Sequence, residues 1–293
     1  MGWFTAEQAT LLAAVQLAAR TGRSTRAWQL TWTLSTYLLR LGLWHDLETA
    51  CQAALDAARR AGDTTGEAHS LLRLALGYAK SGRTTLCQPL LTDALRLFEE
   101  IGDLPKQALA HRTLLWMAER QQHPAEMLSH ARRCYDLYRM ADHRAGQALA
   151  LQDIGHAYAL LGSYEEAIAH CERALAMMRE LEVWAWEGAV WDSLGYIHHR
   201  RGDYQQAIAC YERALDLSRK FADRFNEADT LNNLGDVNRS AGDLAAARRA
   251  WTKALRIFDE IDHPDRDWVR AKLRVDDHAA TAARQLAPQL NPA

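Results

Sequence analysis

A chain of 293 residues with 48% hydrophobic and 25% charged residues carries enough apolar material for a packed core, and nothing in its composition points to a disordered protein. Its 35 basic residues face 37 acidic ones, so a surface that neutralises many phosphates, and with it direct nucleic-acid binding, is not expected. No apolar run approaches the roughly 18 residues of a membrane helix, and the start lacks the basic stretch and cleavage site of a signal peptide, so a cytoplasmic protein without membrane contact is expected.

The first predicted element is a helix from Thr5 to Arg20 that covers the N-terminal end of the fold. From there small residues recur every twenty positions, at Gly22, Gly42, Gly62, Gly82, Gly102, Gly162, Gly202 and Gly242. The empty slots of the series, Gln122, Asp142, Glu182, Ala222 and Asp262, are mostly polar and flanked by Asp or His, so the punctuation continues without glycine. A fixed period of this kind marks a repeat protein, which offers a long surface rather than one buried cleft.

Between these marks the pattern is helical. From Tyr164 to Glu180 the apolar residues Ala167, Ile168, Cys171, Ala174, Leu175 and Met178 are spaced three and four apart and line one helix face. Each helix is roughly 16 residues, about 25 Å at 1.5 Å per residue. Gly62-Asp63, Gly202-Asp203 and Gly242-Asp243 combine a left-handed stop with a side chain suited to cap the next helix, giving antiparallel hairpins. Pro89 falls inside a predicted helix and is expected to distort it.

The full unit spans two such steps. Ala54, Ala94, Ala174, Ala214 and Ala254 share one register, with Cys134 as the exception, and mark the second helix of each pair. Ile154-Gly155, Leu194-Gly195 and Leu234-Gly235 mark the first, where a small residue lets helices approach closely. The five cysteines, Cys51, Cys87, Cys134, Cys171 and Cys210, all fall on second helices and read as buried thiols. Adjacent His198 and His199 diverge on a helix and do not chelate together; no nucleophile, metal site or cofactor is indicated, so no enzyme is expected.

Leu151, Ile154-Gly155, Tyr158, Gly162, Tyr164, Ala167 and Ala174-Leu175 resemble the tetratricopeptide repeat (TPR) signature, and Trp191, Leu194-Gly195, Gly202, Tyr204, Ala207, Tyr211 and Ala214 match it again. The resemblance implies an all-α, right-handed superhelical solenoid of antiparallel helix pairs. It divides the chain into a capping helix over 1–25, about six repeats over 26–262, and a capping helix with a frayed tail over 263–293. The unit from Leu104 to Met140 departs most, with His111, Leu115 and Cys134 at its signature positions, and is expected to couple weakly and act as a hinge. The forty-residue period, with Trp3-Phe4, Ala27-Trp28-Gln29-Leu30, Gly42-Leu43-Trp44 and Asp262-His263-Pro264-Asp265, is similar to the C-terminal TPR region of SARP-type transcriptional regulators and related signal-transduction ATPases. There is no Gly-Lys pair, hence no P-loop, and the abrupt start at Met1-Gly2 reads as an excised sensor or regulatory region.

By the same resemblance the ligand lies on the concave face formed by first helices. Its inward candidates are Trp32 and Thr36; Leu72 and Leu76; Arg112, Trp116 and Arg120; Gln152 and His156; Asp192, Tyr196 and His199; Asn232, Asp236 and Arg239. An apolar N-terminal half would thus pass into a polar C-terminal half, suited to a peptide with one greasy and one polar end. A basic ladder, Arg40, Lys80, Arg120 and Arg200, would attract an acidic segment; Arg133, Arg173, Arg213 and Lys253 read as a solvated face. The carboxylate clamp of chaperone-binding TPR proteins is broken here, since Trp116 and Asp153 stand where Asn is required. Trp184 and Trp186 read as a wedge between repeats or a docking patch, Trp191 as core, and a last helix with Trp268, Val269, Leu273 and Val275 as the closing cap. The expected function is a protein- or peptide-binding scaffold that signals to a switch ATPase or DNA-binding domain of the same regulator. The alternatives are a stand-alone adaptor and a peptide-pheromone receptor.

Overall fold

The twenty-residue beat is a backbone property before it is a sequence property. In the computed structural model, which describes residues 2–286, every member of the series is left-handed: the eight glycines at φ 65–88° and Gln122, Asp142, Glu182, Ala222 and Asp262 at φ 49–60°. At each the chain closes a Schellman-type turn, as where Gly42 N–H bonds Leu39 O at 3.3 Å and Leu43 N–H bonds Leu38 O at 2.9 Å. Polar residues and one alanine therefore adopt what glycine adopts elsewhere, at a strain of roughly 1 kcal/mol or more each.

These turns delimit α1 (Gly2–Arg20), α2 (Ser24–Leu41), α3 (Trp44–Ala61), α4 (Thr64–Lys80), α5 (Cys87–Ile101), α6 (Leu104–Arg120) and α7 (Pro124–Met140). They continue with α8 (Arg144–Leu160), α9 (Tyr164–Glu180), α10 (Glu187–Arg201), α11 (Tyr204–Lys220), α12 (Arg224–Ser240), α13 (Leu244–Glu260) and α14 (Asp265–Leu286). Among the described residues there is no strand, and no helix is long and apolar enough to cross a membrane. The side chains of Asp63 and Asp243 cap as expected, accepting from Gly66 N and Ala246 N, both at 2.8 Å. Asp203 does not; its carboxylate lies instead near Arg201 and His198, at 3.6 and 3.7 Å. Pro89 lands in the first turn of α5, where its missing N–H has no helical carbonyl to lose, and a 3₁₀ turn at Thr84–Leu86 delays the helix start.

Consecutive helices pack antiparallel, and their buried side chains form a row of separate clusters along the repeats, the largest around Leu71 and Leu91. The register of Ala54, Ala94, Cys134, Ala174, Ala214 and Ala254 is 0–1% exposed throughout. A Cβ on Gly235 would sit 2.3 Å from the Trp251 indole, so the small residue there is a requirement of close helix approach. All five cysteines are buried and free, and burial raises the Cys51 and Cys171 thiols to about 12. The divergent unit forms the same hairpin as its neighbours, with His111 Nδ1 and His130 Nδ1 3.2 Å apart. Towards the following repeat, α6 is joined to α8 by Arg112–Asp153 at 2.6 Å and Glu119–His156 at 2.7 Å. Trp186 packs on the core while Trp184 is 47% exposed, and Trp191 lies half-buried under Arg213.

At the far end Val269 is fully buried, but Trp268 and Val275 are 67% and 66% exposed and turn away from the repeats they were expected to cover. The proposed frayed tail after Ala287 lies outside the described residues.

The superhelix comes full circle. Trp44 Nε1 donates to Ile261 O at 2.9 Å, His263 Nε2 meets Lys80 O at 2.7 Å, and Arg120 pairs with Asp265 at 3.0 Å. Arg40 lies over the Phe221 ring and Lys80 over that of Phe225. A Cβ on Gly42 or Gly82 would collide with Ile261 at 2.5 Å or Pro264 at 2.7 Å, whereas Gly162, Gly202 and Gly242 of the same register face open space. The turn edge of the first repeats thus docks against the turns flanking α12 and α13.

Candidate binding groove

The first helices are stitched together along the concave face by one recurring step. Residues 41 apart pair across neighbouring repeats: Arg112 with Asp153, Gln152 Nε2 to Ser193 Oγ at 3.2 Å, and Asn233 Nδ2 to Asp192 at 3.4 Å. In the first repeats the same step sets the Arg73 guanidinium 3.5 Å above the Trp32 ring. At the end of the row Lys272 of α14 joins α12 at other spacings, donating to Asn232 at 2.7 Å and Asp236 at 2.6 Å.

The middle of the groove is a mixed-charge site. Burial works to neutralise His156, yet the Glu119 carboxylate 2.7 Å away more than offsets it and raises the imidazole pKa to about 8. Tyr196 lies edge-on to His156, 6.0 Å between centroids. Glu119, Tyr196 and Arg200 line a cavity of about 320 Å³ with Gln122, His123, Pro124 and Leu160. Asp192 accepts from Thr230 at 3.1 Å rather than from a cation. Burial, then the charges of Asp192, Asp265 and Glu119, raise the Asp229 carboxyl to about 7.

Several inward candidates meet there and others do not. His156, Tyr196 and Arg200 converge, and Trp116 lies beneath Lys80 at 4.0 Å and Arg112 at 4.9 Å. His199 bonds Ser240 Oγ at 2.9 Å, and Arg239 lies over Trp251. Gln152 is 6% exposed and its Nε2 is taken by the ladder bond while its Oε1 is buried without a partner, and Asn232 and Asp236 are taken by Lys272. The apolar N-terminal half is corrected: Leu72 and Leu76 are 0% and 4% exposed, because their helix face packs into the core. What that end offers instead is Trp32 with Arg73 and Lys106. The basic ladder is corrected too, since Arg40, Lys80 and Arg120 are committed to the closure and only Arg200 stands exposed at the groove. Arg133, Arg173, Arg213 and Lys253 are exposed as expected.

The sequence reading missed Glu119, Asp229, Arg73 and Lys106. Asp153, weighed only as a failed clamp position, is the partner of Arg112, and their 41-residue separation was the available signal.

Residues 145–220 and 186–260 match the tetratricopeptide repeat model. The regulatory protein AfsR of Streptomyces coelicolor is 28% identical over 170 residues, 57% of this chain but only 17% of that regulator's length. A Rap protein complexed with competence and sporulation factor superposes with a TM-score of 0.62 at 17% identity, covering 87% of this chain and 76% of that one. The TPR sensor-bearing signal transduction ATPase (STAND protein) PH0952 of Pyrococcus horikoshii gives 0.52 at 16% identity, covering 92% and 46%. Residues 145–260 thus match tetratricopeptide repeats, the chain is similar in part to the regulatory protein AfsR, and its helical solenoid shares the fold of the Rap protein and the signal transduction ATPase.

Proposed function

We propose that this chain is a peptide- or protein-binding scaffold that acts as the sensor region of a SARP-type transcriptional regulator. The observation that carries the binding reading is the half-enclosed cavity between Glu119, Tyr196 and Arg200, which offers a carboxylate, a phenol and a guanidinium to a segment lying along the groove. Likeness to AfsR supplies the regulatory context. Lys80 joins groove to closure: its ammonium lies over Trp116 while its carbonyl accepts from His263. A ligand seated on Trp116 and Glu119 would shift the population between closed and open superhelix, and a switch ATPase or DNA-binding domain of the same regulator would read the difference. A second reading, a receptor for a free signalling peptide, is favoured by the closed shape and by the Rap protein solved with its factor.

The test is selection from a displayed random-peptide library on the chain and on a Tyr196→Ala/Arg200→Ala variant. Sequences enriched on the first and lost on the second support the groove. Equal enrichment on both, or none on either, defeats it. Binding that changes the affinity for an added switch domain favours the sensor over the free receptor.

A further inference from the structure

One rung of the concave ladder is incomplete. Three groove cations have acids: Arg112 has Asp153, Arg120 has Asp265 and Lys272 has Asp236. Arg73, only 9% exposed, has the Trp32 ring, and its Nε has no partner. Lys106 reaches the same ring, its Nζ 4.9 Å from the centroid. Around them Ser70 Oγ, His69 Nδ1 and Trp28 Nε1 are also buried without partners. Ser70 occupies the repeat position of Thr230, whose hydroxyl donates to Asp192; here the facing position is Trp32, which accepts nothing. His69 stacks on Trp28 at 4.5 Å and meets Trp32 edge-on at 4.8 Å. Burial and the charge of Lys106 hold it neutral, down at about 4, so it adds no third charge and accepts no proton at neutral pH.

A buried guanidinium without a counter-ion is costly, and buried polar atoms without partners are rare enough that four in one place call for a cause. Resting on the proposed groove function, we propose that Trp32, Arg73 and Lys106 form an oxyanion subsite that anchors a carboxylate of the bound peptide. The planar guanidinium, its central carbon 3.5 Å from the centre of the indole, is a fork that matches a carboxylate, and Lys106 adds a second charge from the next repeat. The carboxylate comes either from an acidic side chain or from the peptide's own C-terminus.

The experiment uses the full chain and three defined probes: acetyl-triglutamate amide, acetyl-triglycine with a free carboxylate, and acetyl-triglycine amide as the uncharged blank. Thermal unfolding and titration calorimetry are run on the wild type, Arg73→Met and Lys106→Gln. At least one acidic probe is expected to raise the melting temperature of the wild type while the blank does not, and which one does so identifies the source of the carboxylate. Arg73→Met should weaken that probe by about tenfold or more, and Lys106→Gln, a milder change on a partly exposed residue, by about threefold. The proposal is overturned if neither acidic probe shifts the wild type, or if both variants bind the probe as tightly as it does. The Tyr196→Ala/Arg200→Ala chain should retain the acidic probe, so loss of library peptides there and loss of the anion here are separate results.

Discussion

Trp44 and Ile261 stand 217 residues apart in sequence, yet the indole Nε1 of one donates to the backbone carbonyl of the other at 2.9 Å. The contact joins the second turn of the solenoid to its last. Trp44→Phe keeps most of the ring and removes the bond, and should cost about 1 kcal/mol of stability. Small-angle scattering should show a larger radius of gyration for Trp44→Ala, which removes the packing as well; an unchanged radius in that variant would mean the superhelix stays closed without this contact.

Gly42 and Gly242 offer a controlled comparison. Both are left-handed, at φ 70° and 88°, so alanine at either carries a backbone strain of about 1 kcal/mol. Only at Gly42 would the new methyl meet Ile261. Gly42→Ala is therefore expected to lower the melting temperature more and to expand the molecule, while Gly242→Ala leaves its dimensions alone. Equal effects in both would assign the whole cost to the backbone.

Stability should fall as pH rises from about 6.5 to about 8. The His156 pKa is raised above its unfolded value, so its contribution is fully present below the unfolded pKa and disappears as pH passes the folded one. At most this is about 2 kcal/mol, and Asp229, whose carboxyl is also raised, acts in the same sense as it ionises in the groove. Denaturant titrations from pH 6 to 8.5 should show the decline in the wild type and a flatter profile in His156→Gln. A profile of the same slope in both would remove His156 from the account.

The Arg112–Asp153 pair should reveal itself by non-additivity. Its carboxylate side chain is 3% exposed, so Asp153→Asn leaves a buried guanidinium short of its counter-ion and should cost about 3 kcal/mol or more. Arg112→Met/Asp153→Leu removes both charges and should recover much of that loss. Chemical denaturation of Arg112→Met, Asp153→Leu and the double variant measures the coupling directly.

The twenty-residue series was legible because each left-handed turn is a local event, decided by a few residues and repeated until chance is excluded. It remained legible at Ala222 and Asp262, where the turn is left-handed without glycine. The core register was readable for the same reason, since Ala54 and Ala254 face the same partner surface in different repeats. Direction within the first helix was harder: Leu72 and Trp32 share a register, yet one enters the core and the other faces Arg73. Repeat spacing alone does not say which side chain wins the limited interior. The closure was not legible at all, because Gly42 and Gly162 look identical in sequence and differ only in what the completed superhelix brings against them.

That closure alters how the array melts. An open row of repeats frays from its two ends, each terminal unit held by a single neighbour. Here the first two repeats are held on one side by their sequence neighbours and on another by Ile261 and His263, so the row behaves as a loop with a clasp. Unfolding from the C-terminal side must first undo the clasp, which delays the loss of the last repeats and then releases both termini together.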